Sequence, residues 1–400
     1  MIEVLVGAAC YLTLFAVLPG IGPGMQVLAL VLLFGAAAWA VLLHRVKAIP
    51  MSVPELVIYV VGVSYVAVAM LVEEESVAIS SVFLCTVVFI SIVARAISLE
   101  RMMDVGAAVA MACVLTVLVV DHRDAAAALV PRAGGALDRF MPLGSTPNLV
   151  GYIYGAGSIL MIRRALVSKR TIERLLMVGG SLVSCLFVLA ASARSSLVAL
   201  LAAALIAVFL EYGFGRVVSL KWVKVGAIVF TIVGLAFSDR IGAYFARMLE
   251  IDSETRGLAS GGSGRTSLWA RGIDILFNDP VRFIFGGGFR SSGSDVIGFS
   301  TESSYITIML ESGVFIGAAV ILVFAYSPIK ALKLTPPQDR HASSLILVAS
   351  FLTFLIVESV FNRYLLAIGN PTSLLSLLVL FTVWIRPGPV VAAGQLPAER

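Results

Sequence analysis

Glu302 stands in the run Ser300-Thr301-Glu302-Ser303-Ser304-Tyr305, directly before a long apolar stretch. A carboxylate held there is equipped to act as a general base, provided that neighbouring cations keep it ionised. The same residues have a structural reading: Ser300 or Thr301 caps a helix, and Glu302 in its first turn complements the helix dipole. Three arginines occupy conspicuous places on either side. Arg194 lies in Ala193-Arg194-Ser195-Ser196, Arg265 follows Gly264, and Arg290 follows Gly286-Gly287-Gly288-Phe289. A guanidinium grips phosphate or carboxylate through two parallel bonds in a fixed plane, whereas an ammonium is a hydrated point charge. The plainer readings are an interfacial anchor for Arg194 and a solubilising charge or a partner of Asp274 for Arg265.

Other chemistries find no support in the sequence. His44, His122 and His341 show no ligand spacing, and Cys10, Cys85, Cys113 and Cys185 fall inside apolar runs as small buried hydrophobes. There is no GxxxxGK[ST] run, dinucleotide fingerprint or GxSxG elbow. Asp252-Ser253-Glu254 reads as solvated loop. The expected site uses no metal and no cofactor.

The elements that position these residues belong to a membrane. Of 400 residues, 60% are hydrophobic and 13% charged, and the mean hydropathy is +1.01. This composition excludes a soluble globular chain, a disordered one, a nucleic-acid module and a disulfide-stapled domain. Apolarity without period-two alternation excludes a barrel, so the fold class is all-α and polytopic. Twelve apolar runs approach the length of a span: 2–19, 25–43, 54–72, 76–94, 103–120, 148–167, 172–190, 195–211, 222–237, 304–326, 342–360 and 364–385. The first has no basic residue ahead of it and reads as a span, not as a cleaved signal. The chain therefore divides into spans 1–9 (1–237), one large outer loop (238–303), spans 10–12 (304–386) and a tail (387–400).

Placing both termini inside puts 17 of the 29 basic residues in cytoplasmic segments. All six lysines fall there, and all twelve outer cations are arginine. Glu73, Glu74 and Glu75 form an outer acidic turn. In the large loop, Ile241, Tyr244, Phe245, Met248 and Leu249 repeat as one face of a surface helix. Leu268, Trp269, Gly272, Ile273, Leu276 and Phe277 mark a second, which Pro280 stops. Within the spans, Glu311 and Glu358 are intramembrane acids, functional by default, with a pairing of Glu311 to Arg363 or another inward cation preferred over catalysis.

Four places in this frame resemble the superfamily of O-antigen ligases and Wzy-type polysaccharide polymerases. They are Pro147-Asn148; Ala193-Arg194-Ser195-Ser196; Gly264-Arg265 with Trp269, Pro280 and Gly286-Gly287-Gly288-Phe289; and Thr301-Glu302-Ser303-Ser304-Tyr305 with Leu310-Glu311-Ser312-Gly313. The matches run from about residue 145 to 320, and the single late outer loop agrees along the whole chain. Ligases of the superfamily carry His-Asn where this chain has Glu302-Ser303, so the resemblance favours a polymerase.

It implies an inverting, metal-independent transfer of a glycan from undecaprenyl diphosphate to an acceptor sugar hydroxyl, at the periplasmic face of a bacterial inner membrane. Glu302 would be the base, Arg194 and Arg265 would grip the diphosphate, and Arg290 is a third candidate. Asn148, Tyr305 and Trp269 are candidates for contact with sugar, against the readings of a helix cap for Asn148 and interfacial aromatics for the other two. Expected partners are the lipid-linked oligosaccharide, the bilayer, a chain-length regulator and a flippase, with no nucleic acid. The alternatives are a ligase acting on lipid A core and, in a different class, a lipid-oligosaccharide flippase or secondary transporter.

Overall fold

The computed structural model describes residues 1–18, 20–43, 46, 50–72, 74–129, 139–212, 264–291, 298–334 and 342–385. All regular structure among them is helical. Hydrocarbon offers no partner to a bare N–H or C=O, and a helix satisfies both within its own segment. The first half holds α1 (Ile2–Leu12, continued by a 3-10 turn Thr13–Val17), α2 (Gly22–Leu42), α3 (Val53–Val72), α4 (Glu74–Ala96), α5 (Leu99–Val120), the short α6 (His122–Leu129), α7 (Pro147–Val167), α8 (Thr171–Ala190) and α9 (Arg194–Tyr212). The second half holds α10 (Arg265–Asn278), α11 (Pro280–Phe285), α12 (Ser304–Ser312), α13 (Val314–Lys333), α14 (Ala342–Phe361) and α15 (Pro371–Ile385).

Eight of these helices, α2 to α5, α8, α9, α13 and α14, are long and apolar enough to cross a membrane. The first run, through α1 and its 3-10 turn, and α15 are shorter apolar helices. The ninth run (222–237), the helix expected around Ile241, Glu73, Asp252-Ser253-Glu254 and the tail 387–400 lie outside the described residues.

The helix at the centre of the bundle is α15, which packs against α1, α3, α4, α5, α7 and α13. Every side chain in it except Trp384 is buried. A helix apolar all round belongs in an interior. The last apolar run begins at 364, but its helix starts only at Pro371. There Asn370 Oδ1 accepts the Ser373 N–H at 2.9 Å and fixes the start.

The tenth run is not one helix as its composition suggests. It breaks at Gly313 (φ +81°), where a Cβ would lie 2.1 Å from the Ile284 carbonyl oxygen. The carbonyls of Leu310 and Glu311 are instead met by the Gly287 and Gly288 N–H groups at 2.8 and 3.0 Å. Gly286 (φ +74°) makes this approach possible, since a Cβ there would fall 2.3 Å from the Glu311 carbonyl. Phe289 then stacks on Tyr65 and packs beside Phe83, which fastens the glycine loop to α3 and α4. Glu311 accepts from Tyr65 Oη at 3.3 Å. Of the cations the sequence offered it, Arg363 is exposed and makes no ion pair with it.

Charge separates along the bundle. At one end Glu55 pairs with Arg95, Glu3 with Arg101, and Asp104 with both Arg163 and Arg164, the latter also meeting Glu173. Arg163 is 1% exposed and reaches Ser344 Oγ at 3.0 Å, so it joins α5, α7 and α14. The opposite end collects α10 to α12, the starts of α7 and α9 and the end of α14.

Candidate functional site

At that second end, a tight turn links α8 to α9. Ser192 has φ +49°, its N–H bonds to the Leu189 carbonyl at 2.9 Å, and the Arg194 N–H bonds back to the Ser192 carbonyl at 3.1 Å. Arg139 braces it, donating through Nε to the Ala191 carbonyl at 3.1 Å, while the Phe140 N–H meets the Ala190 carbonyl at 3.1 Å. The turn sets Arg194 at the start of α9, with Ser195 and Ser196 buried just after it.

Both serines point to Glu358 on α14. Ser196 Oγ donates to Glu358 Oε1 at 2.7 Å and Ser195 Oγ at 3.4 Å. Asn362 Nδ2, one turn on, donates to the same oxygen. Glu358 is fully buried, and among the described residues its other oxygen, Oε2, has no hydrogen-bond partner; nor has Asn362 Oδ1. Facing a carboxylate fixes which end of the Asn362 amide is nitrogen, so its oxygen is turned elsewhere. Buried acceptors without donors are uncommon in a folded chain, and two of them lie together here. Arg265, at the first position of α10, lies within electrostatic reach of Glu358.

Asn362 also links this cluster to Glu302. Its carbonyl accepts the Ser304 N–H at 2.8 Å and the Ser304 hydroxyl, and Ser304 Oγ accepts the Leu365 N–H at 3.1 Å. These bonds decide where α12 begins. Its N-cap is Ser303, not Ser300 or Thr301, and Glu302 lies outside the first turn. Glu302 is partly buried and takes φ +52°, a left-handed conformation unusual for a side chain that is not glycine. Thr301 pins the turn from below: it is fully buried and shares a hydrogen bond with Thr307 Oγ1 at 2.8 Å. Ser300 Oγ donates to Glu302 Oε1 at 3.1 Å. The helix-dipole role expected for Glu302 is therefore replaced by a strained turn held by its neighbours.

Tyr364 lies within electrostatic reach of both acids. Its hydroxyl shares a hydrogen bond with Thr146 Oγ1 at 3.0 Å, and its ring packs on Tyr152 with centroids 5.6 Å apart. Burial raises the Tyr364 phenol above its ordinary range. The Thr146 bond opposes that rise, Glu302 reinforces it, Arg363 opposes it and Glu358 adds to it. One phenol thus senses both carboxylates.

The remaining expected residues divide. Trp269 joins the site wall: its ring lies 6.1 Å from that of Phe361, and its buried Nε1 has no partner among the described residues. Tyr305 is already committed, since its hydroxyl donates to the Ile356 carbonyl at 2.6 Å and ties α12 to α14. Asn148 is not the cap of its helix; Thr146 is, with Oγ1 accepting the Leu149 N–H at 3.4 Å. Arg290 is exposed, has φ +62° and places its guanidinium 5.8 Å from the centre of the Phe289 ring, by the glycine loop. Arg265 and Asp274 are nine residues apart on one helix, about 13.5 Å of rise, too far to pair; Asp274 accepts from Asn278 at 2.7 Å. Arg271 on α10 covers the Phe299 ring at 4.5 Å.

The sequence reading did not single out Asn362, Tyr364 or Arg139. Asn362 reaches Ser195 across 167 residues, Tyr364 reaches Thr146 across 218 and Arg139 reaches the Ala191 carbonyl across 52, so no local pattern could announce them. No family model and no curated protein matches the chain.

Proposed function

We propose that the chain is a polysaccharide polymerase. It transfers a glycan from undecaprenyl diphosphate to an acceptor sugar hydroxyl, at the periplasmic face of a bacterial inner membrane. The observation that carries this reading is convergence. The turn bearing Arg194, the start of α10 bearing Arg265 and the strained turn bearing Glu302 all meet the end of α14 around Glu358 and Asn362.

In this reading Glu302 accepts the hydroxyl proton as the acceptor oxygen attacks the anomeric carbon on the face opposite the diphosphate. The bond from that carbon to the diphosphate oxygen breaks, and the negative charge that develops is held by Arg194 and Arg265 where water is scarce. Glu358 is a positioning residue. It anchors the Ser195-Ser196 turn behind Arg194 and sets the field in which Arg265 lies.

The test is purified protein with a diphospholipid-linked oligosaccharide, with and without lipid A core. A product ladder without added core, undiminished by chelator, is the expected result. Product on core alone would make the protein a ligase, and loss of activity in chelator would overturn the metal-free mechanism. A second reading draws on the helix break at Gly313, since transporters build substrate sites from discontinuous helices. Its signature would be movement of the intact lipid-linked glycan with no bond cleaved.

A further inference from the structure

The opposite end of the bundle carries a second site, independent of the reading above. A cavity of about 1150 Å³ lies between α5, α7 and α8, walled by Met111, Leu115 and Leu176 among others. Leu115 and Leu176 are 53% and 61% exposed, so the wall opens onto the surface that a bilayer would cover.

The charged rim does not balance. Arg163 and Arg164 are answered by Asp104 and Glu173, at 2.6 to 2.9 Å. Lys169 and Arg170, both exposed, line the same cavity and have no ion pair among the described residues. They precede α8, whose N-cap residue Arg170 makes no side-chain cap bond, so the first N–H groups of a 20-residue helix lie beside two exposed cations, with Glu173 of the first turn within electrostatic reach of Arg170. The turn between is fixed, with Ser168 Oγ donating to Glu173 Oε2 at 2.7 Å and accepting the Arg170 N–H at 3.2 Å.

We propose that this groove binds an anionic phospholipid of the surrounding membrane. The phosphodiester sits at the start of α8 with Lys169 and Arg170, and an acyl chain runs along Met111, Leu115 and Leu176. Basic pockets between spanning helices suit such head groups, and each cation near a bilayer surface contributes to holding them. Glu173 does not repel the phosphate strongly, because Arg164 and Ser168 already engage both of its oxygens.

Native mass spectrometry of the purified protein in detergent, titrated with phosphatidylglycerol or phosphatidylcholine, tests the assignment. Phosphatidylglycerol should bind more tightly, and the double variant Lys169→Gln/Arg170→Gln should weaken it by about thirtyfold, leaving phosphatidylcholine unchanged. Lys330→Gln/Lys333→Gln removes the same charge elsewhere and should retain the wild-type preference. Leu176→Trp, which fills the groove without changing charge, should lower occupancy by phosphatidylglycerol. Equal binding of the two lipids, a preference that survives Lys169→Gln/Arg170→Gln, or equal loss in both double variants would overturn the proposal.

Discussion

Substitution of Glu358 separates what holds the site together from what the site does. Its Oε1 collects three donors, from Ser195, Ser196 and Asn362, inside a fully buried environment. Alanine leaves those donors without an acceptor, at about 1–3 kcal/mol for each buried orphan. The two hydroxyls can turn to helix carbonyls, whereas the Asn362 amide is held in place, so Glu358→Ala should destabilise by about 1–3 kcal/mol. Glutamine keeps a carbonyl oxygen for all three donors, and Glu358→Gln should fall within about 1 kcal/mol of wild type.

Activity should follow a different order. Glu358 acts on Arg265 through its Coulomb field, and an interaction of about 2 kcal/mol at an effective dielectric near 20 sets the scale of what Arg265 loses in either variant. That is roughly a thirtyfold fall in turnover. The assay pairs thermal unfolding in detergent with rates of product formation. Glu358→Gln should melt like wild type yet turn over slowly, with the loss in kcat more than in KM. Wild-type turnover by Glu358→Gln would refute the positioning role, and an alanine variant as stable as the glutamine one would refute the hydrogen-bond accounting.

Other substitutions probe the remaining parts. Glu302→Gly relieves a left-handed backbone and should raise stability by about 0.5–1 kcal/mol while abolishing transfer, measured by melting and by product formation. Gly286→Ala drives a Cβ to 2.3 Å from the Glu311 carbonyl at positive φ, and should cost about 3 kcal/mol or more, lowering the melting temperature sharply. Arg265→Lys keeps the charge but not the planar fork, and should slow transfer by about tenfold or more with little change in melting.

Eight of the twelve expected runs were readable as helices long and apolar enough to cross a membrane, because hydrocarbon forces helices wherever apolar residues run on. What the sequence hid were the places where a distant partner decides the local structure. Ser300-Thr301-Glu302 reads as a helix start by residue type. The helix instead begins at Ser304, because the Ser304 N–H and hydroxyl are claimed by the Asn362 carbonyl 58 residues on. Gly313 lies in an apolar run with nothing local to announce a break. The break exists because a glycine loop from outside the run supplies donors to the Leu310 and Glu311 carbonyls. Glu358 was conspicuous as an acid among apolar residues, but its serine partners, 162 and 163 residues earlier, were visible only as part of the Arg194 turn. Asn362 and Tyr364 carried no signal at all, since an asparagine and a tyrosine at a helix end have many ordinary uses.

The most direct measurement of the central claim follows release of undecaprenyl diphosphate when purified protein meets its lipid-linked oligosaccharide. The account predicts that wild type releases one lipid diphosphate per unit added to a growing chain. It also predicts that Glu302→Gln, folded and able to bind the donor, slows release by a hundredfold or so, the scale of a lost general base. Release unchanged in Glu302→Gln, or movement of the intact lipid-linked glycan across a liposome membrane with no release by wild type, would contradict it.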